Sequence, residues 1–193
     1  MTHTLTVVTS NEHKAREVAA FFGNTVKIGH VTLEIPEIRS SDVSEIACEK
    51  ARYAYAKLGR PLVVDDTEFS IDALKGFPGT YAAYVLSTLG YSGILRLMDQ
   101  EPERNAHFTT AIAYADKTGV YPFTGTIDGT ITDAPRGMEG FGYDPIFEVG
   151  GKTLAEIPLE EKSAVSHRAR ALRKFHDWYI ERIQTESSVD TNR

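Results

Sequence analysis

Asp65-Asp66-Thr67 directly follows the apolar run Leu62-Val63-Val64. Neighbouring residues on a strand point to opposite faces, so one of the two carboxylates faces a cleft and the other faces away. A carboxylate at the end of a buried strand is costly unless it meets a metal or a partner. Hard oxygen donors suit Mg²⁺, which takes one or two carboxylates and keeps water and substrate phosphate as further ligands. Glu37, just past Pro36, is a second carboxylate for such a site. The plain alternative is a solvated strand end.

Four other segments carry chemistry. Thr9-Ser10-Asn11-Glu12-His13-Lys14 lies between a strand and a helix, and the free N–H groups of a helix N-terminus suit phosphate. Lys14 in the first turn reaches the same region; alternatively Thr9 and Asn11 only cap the helix. Lys50 falls between Ala47 and Ala51 on an apolar helical stripe, where a lysine must snorkel outward or face an anion. Gly137 to Phe147 is a glycine-rich loop around Phe141, which offers a face for stacking a base, or else a core residue. Glu161-Lys162-Ser163-Ala164-Val165-Ser166-His167-Arg168 opens the last helix. His167 and Arg168 are donors suited to acceptor atoms on a base edge, or part of a basic face balanced by Glu160 and Glu161.

The elements that must position these residues follow from pattern. Residues 5–9 form a first strand and 12–22 a helix with Ala15, Val18, Ala19 and Phe22 on one stripe. Residues 26–35 form a second strand, stopped by Pro36. Asp42, with Glu45 three positions on, starts a helix through a capping box, and Gly59-Arg60-Pro61 ends it. A short strand at 62–64 runs into the carboxylates, and Gly76-Phe77-Pro78-Gly79 is a turn. Residues 81–98 read as a helix broken near Gly90 or Gly93. Strands over 106–115 and 121–131 pair through a turn at 117–119, residues 133–142 form a loop, and 159–183 form one final helix. This order gives an α/β fold with a mixed sheet and helices on both faces. Residues 186–193 read as a disordered polar tail.

Composition narrows the partners. The chain has 193 residues, 41% hydrophobic and 25% charged, which suits one folded domain over residues 1–185. A formal net charge of −6 disfavours nucleic acid as a partner, since phosphate backbones need a basic face. No apolar run reaches the roughly 20 residues of a membrane span, so no membrane partner is expected. Met1-Thr2-His3-Thr4 shows no signal-peptide pattern, and a single cysteine, Cys48, fits a reducing cytoplasm.

Taken together, these segments resemble the inosine triphosphate pyrophosphatase family. The resemblance covers Leu5 to about Leu172. It rests on Thr9-x-Asn11-x-x-Lys14-x-x-Glu17, on Asp65-Asp66-Thr67 with Asp72-Ala73-Leu74 and Gly76-x-Pro78-Gly79-x-Tyr81, on Pro135-Arg136-Gly137 with Gly140-Phe141-Gly142-Tyr143-Asp144-Pro145-Ile146-Phe147, and on Ala155-Glu156 with residues 161–168. It implies a long, curved mixed β-sheet with flanking helices and two lobes around a central cleft, as a cytoplasmic homodimer. It implies hydrolysis of non-standard purine nucleoside triphosphates (ITP, dITP, XTP) to monophosphate and pyrophosphate with Mg²⁺. By the resemblance, Thr9, Asn11 and Lys14 contact phosphate, Glu37 and Asp66 hold the metal, and Asp66 is the general base. Lys50 and Lys162 lie near the triphosphate, and Ser10 and Thr67 bind substrate. Phe141, Gly142, Tyr143 and Asp144 hold the base, and His167 and Arg168 read it. The chain departs from many members at Ser10, Glu68 and Ala83. A related Maf-like pyrophosphatase and a non-catalytic nucleotide-binding module are the alternatives; the segment at 166–168 and the retained carboxylates favour the first reading.

Overall fold

The computed structural model describes residues 4–23 and 26–190. Its elements run β1 (Thr4–Val8), α1 (Glu12–Phe22), β2 (Lys27–Val31), α2 (Val43–Leu58), β3 (Leu62–Ile71), β4 (Pro78–Gly79), α3 (Ala82–Leu97), β5 (Asn105–Asp116), β6 (Gly119–Ile131), β7 (Phe147–Val149), β8 (Lys152–Thr153), α4 (Leu159–Val165) and α5 (His167–Asp190). Among the described residues the strands form one mixed sheet in the order β2-β1-β3-β5-β6-β7-β8, with β4 paired to β3. β2 and β3 lie parallel to β1, and β5 and β6 add antiparallel. The expected α/β fold with a mixed sheet is therefore present.

Alternation along the strands builds two faces. Val63 packs with Val18, Leu172 and Phe175 under α1 and α5, whereas Leu62 and Val64 pack with Ala47, Ala51 and Ala54 under α2. Further along the same strands, Phe69, Ile71, Phe108 and Ile127 meet Val85, Ile94 and Met98 of the α3 region in a separate core. β3, β5 and β6 thus run from one lobe into the other.

Local chemistry sets the helix limits. Asn11 caps α1 by accepting from the His13 and Lys14 N–H groups, and Asp42 caps α2 by accepting from Ser44. The expected capping box at Asp42 does not close, because Glu45 accepts from the Ser40 hydroxyl instead. Gly59 ends α2 with φ of 61°, a left-handed conformation that glycine adopts without a Cβ penalty. α3 breaks at Gly90, one of the two expected positions.

Four elements differ from the sequence expectation. β2 stops at Val31, because β1 offers partners only from Thr4 to Val8. β3 is ten residues long and continues through its polar stretch, because β5 pairs with it from Leu62↔Ala115 to Ile71↔Ala106. The final helix is two helices, divided where Ser166 turns to an extended conformation. α5 continues to Asp190, so residues 186–190 of the expected disordered tail are helical, and residues 191–193 lie outside the described residues. Among the described residues no helix is long and apolar enough to cross a membrane.

Candidate active site

Pairing of β1 with β3 ends at Val8↔Val64. Beyond that point β3 loses its β1 neighbour, so Asp65 and Asp66 stand in mid-strand beside an open crevice. The loop leaving β1 carries Thr9, Ser10 and Asn11 past the same opening. Ligand sites in open α/β sheets form in this way, outside the carboxyl ends of parallel strands. Lys14, one turn into α1, brings its Nζ 3.5 Å from the Asp65 carboxylate and 3.4 Å from its carbonyl oxygen.

The two aspartates diverge as strand alternation requires. Asp66 turns to the α2 side, where Lys50 Nζ donates to both Asp66 Oδ2 and Glu37 Oε1. Its Oδ1 accepts from the Thr67 N–H at 3.0 Å. Lys50 therefore faces anions from within its apolar stripe. Burial lowers its pKa, but the two carboxylates outweigh that, and the ammonium is held above its ordinary value.

Asp65 turns to the other side, into a buried ionic cluster. Arg168 donates through Nε to Asp65 Oδ2 at 2.8 Å, through Nη1 to Glu17, and through Nη2 to Thr67 Oγ1 at 3.1 Å. Lys162 Nζ lies 2.6 Å from Glu17 and 2.7 Å from Asp144. Arg168 is 1% exposed and Lys162 2% exposed. Such charges can be buried only in pairs. Burial raises the Asp65 carboxyl, but Lys14 and Arg168 outweigh it and hold the group below its ordinary value. Glu17 is likewise lowered, by Arg168 and Lys162 against burial. For Asp144 burial wins over Lys162, and its pKa is raised.

The glycine-rich loop closes the far side. Gly137 has φ of 83°, and a Cβ there would lie 2.2 Å from the Ala155 carbonyl, so only glycine fits. Phe141 is anchored by its N–H to Asp144 Oδ2 at 2.7 Å. Its ring stacks on His13 at 5.1 Å, with Lys162 Nζ 5.1 Å from the ring centre. His167 stacks on Phe108 at 4.7 Å and bonds through Nδ1 to Thr110 Oγ1 at 2.6 Å. Burial, reinforced by Arg168, Lys162 and Lys14, holds His167 well below its ordinary 6.5.

Every site residue expected from sequence lines one of two cavities. One, of about 460 Å³, takes Thr9, Ser10, Asn11, Lys14, Glu37, Lys50 and Asp66. The other takes Asn11, Lys14, Glu37, Asp66, Thr67, Phe141, Gly142, Tyr143, Asp144, Lys162, His167 and Arg168. Asn11, Lys14, Glu37 and Asp66 belong to both, so the cavities adjoin.

The geometry revises several roles. Asn11 accepts from two N–H groups of α1, so the cap already engages much of the helix terminus. Tyr143 donates its hydroxyl to Ala82 O at 2.8 Å and is desolvated, with its pKa pushed up to about 12. Tyr143 and Asp144 thus hold the loop through their polar atoms. Phe141 is half-buried against His13, not a free platform. Arg168 is neither a free donor nor half of a surface pair with a helix glutamate, because three of its nitrogens already serve Asp65, Glu17 and Thr67. Glu17 was given no role from sequence. The available signal is its spacing, three residues beyond Lys14 and beside the apolar Val18, where an unpaired carboxylate would be buried.

The neutral state of His167 has a consequence for stability. The folded pKa is depressed, so the unfolded chain binds the proton first as pH falls. Stability is therefore expected to decline from pH 6.5 downward toward the folded pKa, and a variant His167→Gln is expected to lack that component. Denaturant midpoints across pH 5 to 8 check this. An identical pH dependence in the two proteins would contradict it.

The model of the Ham1 family matches residues 5–178 of this chain. The chain belongs to the Ham1 family. Within it, this Ham1 chain is 45% identical over 170 residues to a dITP/XTP pyrophosphatase of Methanopyrus kandleri, covering 86% of this chain and 89% of that protein. It is 43% identical over 176 residues to an inosine triphosphate pyrophosphatase of Aspergillus fumigatus, covering 90% and 93%. The solved Ham1 protein of Staphylococcus aureus superposes with a TM-score of 0.79 at 25% identity, covering 93% of this chain and 99% of that one. Membership in the Ham1 family sets the Maf-like alternative aside.

Proposed function

We propose that this Ham1 protein hydrolyses ITP, dITP and XTP to the nucleoside monophosphate and pyrophosphate, with Mg²⁺. The observation that carries the reading is the adjoining pair of cavities. One offers cations and paired carboxylates suited to a triphosphate, and the other the buried His167 imidazole, whose ring can meet a base edge.

The residues present fit Mg²⁺. Glu37 and Asp66 direct oxygens to one point, now filled by the Lys50 ammonium. The Glu37 side chain is 69% exposed, which leaves room for water to complete the shell. Among the described residues no group of three or more His, Cys, Asp or Glu converges on a metal position. Two carboxylates, water and substrate phosphate are the set this ion prefers, rather than an all-protein cage. Once bound, the ion neutralises charge on the phosphate oxygens.

Lys14, with its 3.5 Å contact to Asp65, is free to swing onto phosphate. Lys50 lines the same cavity as Lys14, and Lys162, held between Glu17 and Asp144, faces the adjoining one, so the lysines approach the triphosphate from both cavities. Asp66 orients a water molecule and accepts its proton as the water oxygen bonds to the α-phosphorus and the bond to pyrophosphate breaks. His167, neutral and buried, meets the base edge. A 6-oxo group accepts where adenine's 6-amino group donates, and one mispaired buried donor costs about 1–3 kcal/mol, or roughly 5- to 150-fold.

The reading is tested by kcat/KM for ITP, dITP, XTP and ATP with Mg²⁺, with ATP expected to be the poorest by at least tenfold. Equal rates across the four would overturn it. Lys14→Ala is expected to raise KM for ITP and ATP alike, because phosphate contacts position a ligand without reading its base. A changed ITP-to-ATP ratio in that variant would move Lys14 to the base end. The reading also takes the protein to be a cytoplasmic homodimer, which sedimentation equilibrium and cell fractionation check.

A further inference from the structure

Four polar groups form a continuous chain behind the base end of the cavity. Arg168 Nη2 lies 3.1 Å from Thr67 Oγ1, Thr67 Oγ1 lies 2.7 Å from Thr110 Oγ1, and Thr110 Oγ1 lies 2.6 Å from His167 Nδ1. A guanidinium can only donate. Thr67 Oγ1 therefore accepts from Arg168, and its own proton needs an acceptor. The Thr110 hydroxyl oxygen is the acceptor within reach. The Thr110 proton then falls on His167 Nδ1, which must be unprotonated to receive it. Running the chain the other way would give Thr67 two donors and leave its proton with no acceptor among the described residues. That reverse order forfeits a hydrogen bond at Thr67, which is half-buried, whereas the forward order pairs every group in the chain. Thr110 is fully buried, so no solvent competes for its hydroxyl.

We propose that Thr67 and Thr110 are positioning residues that fix His167 in its Nε2–H tautomer, making it an obligatory donor to the base. The inference rests on the functional reading above and supplies the source of its selectivity. The ring is held by stacking on Phe108, and no residue among those described bonds its Nε2. Burial and the neighbouring cations keep the ring neutral, so the single remaining proton sits on Nε2 and faces the cavity. A donor fixed there accepts only bases that present an acceptor. Through the relay Arg168, whose own nitrogens are largely engaged, acts on base choice by orienting the first hydroxyl.

The tautomer is read directly by long-range ¹H–¹⁵N correlation on protein labelled at histidine nitrogen, with His167→Gln identifying the signal. The wild-type spectrum is expected to show the Nε2–H form. Thr110→Val, which keeps the shape and removes the hydroxyl, is expected to lose that single form and to shrink the ITP-to-ATP ratio of kcat/KM at least about fivefold. Thr110→Ser is expected to restore both. A wild-type Nδ1–H form would overturn the proposal, as would a Thr110→Val protein with unchanged tautomer and ratio. The wild-type measurement needs no substrate, and only His167→Gln for assignment, so it stands even if Thr110→Val fails to fold. Failure of the wild-type protein to hydrolyse ITP would instead fall on the functional reading and leave the tautomer result intact.

Discussion

Replacing Asp66 with Asn is expected to cut kcat for ITP by at least about a hundredfold while the fold is kept. The reason is chemical. Asp66 combines a carboxylate oxygen shared with Glu37 on Lys50 and an open position at the crevice where β1 pairing stops. Asparagine matches its shape and can still accept from the Thr67 N–H, which keeps the backbone bond. Lys50 retains Glu37 as a partner. What is lost is the charge that, on the proposed reading, would bind Mg²⁺ and take a proton from water. Thermal melting separates the two effects: the midpoint should hardly move. Turnover within about threefold of wild type, a barrier change under 1 kcal/mol, would contradict the role given to Asp66.

Replacing Arg168 with Ala is expected to destabilise the protein by about 3–5 kcal/mol, because it takes the shared guanidinium from two buried carboxylates and leaves Asp65 only Lys14 and Glu17 only Lys162. Asp65 and Glu17 are each nearly inaccessible, and Asp65 Oδ1 has no hydrogen-bond partner even with Arg168 in place. For a chain of this size the loss corresponds to a fall in Tm on the order of 10 °C. Adding Glu17→Gln should recover part of it, since the two residues share one network. The sign with pH follows from the lowered carboxyls. Their contribution is in place above the ordinary values of 3.8 and 4.5, and is lost as pH falls through the lower folded values. A Tm shift equivalent to under 1 kcal/mol would mean a solvated surface pair and would contradict the buried cluster. The resemblance assigned Arg168 to base reading; its burial places stability first.

The parts of the site legible in the sequence are those fixed by local pattern. Alternation on one strand separates Asp65 from Asp66, and the structure sends them to α1 and α2 as that rule requires. Asn11 and Asp42 cap the helices they precede. For Lys50 the apolar stripe left two outcomes, snorkelling or an anion, and the structure shows the second. The partners across long sequence separations were not legible. Glu17 meets Arg168 151 positions away, and Thr67 meets Thr110 through strand register. No periodicity encodes either distance. The length of β3 was misread for a related reason: its polar middle looks like a strand end, and only pairing with β5 keeps it extended. The break at Ser166 was hidden because residues on both sides favour helix, yet it starts α5 at His167 and so aims His167 at the cavity and Arg168 at the buried cluster.

The account stands or falls on where the triphosphate is cut. Attack at the α-phosphorus by a water that Asp66 activates yields IMP and pyrophosphate from ITP in equal amounts. The measurement is a product analysis of ITP turnover with Mg²⁺, by anion-exchange separation of nucleotides and enzymatic assay of pyrophosphate and orthophosphate. IMP rising in step with pyrophosphate, with no IDP at early times, is the predicted result. IDP and orthophosphate as the first products would place the attack at the γ-phosphorus and contradict the arrangement of Asp66, Glu37 and the three lysines argued above.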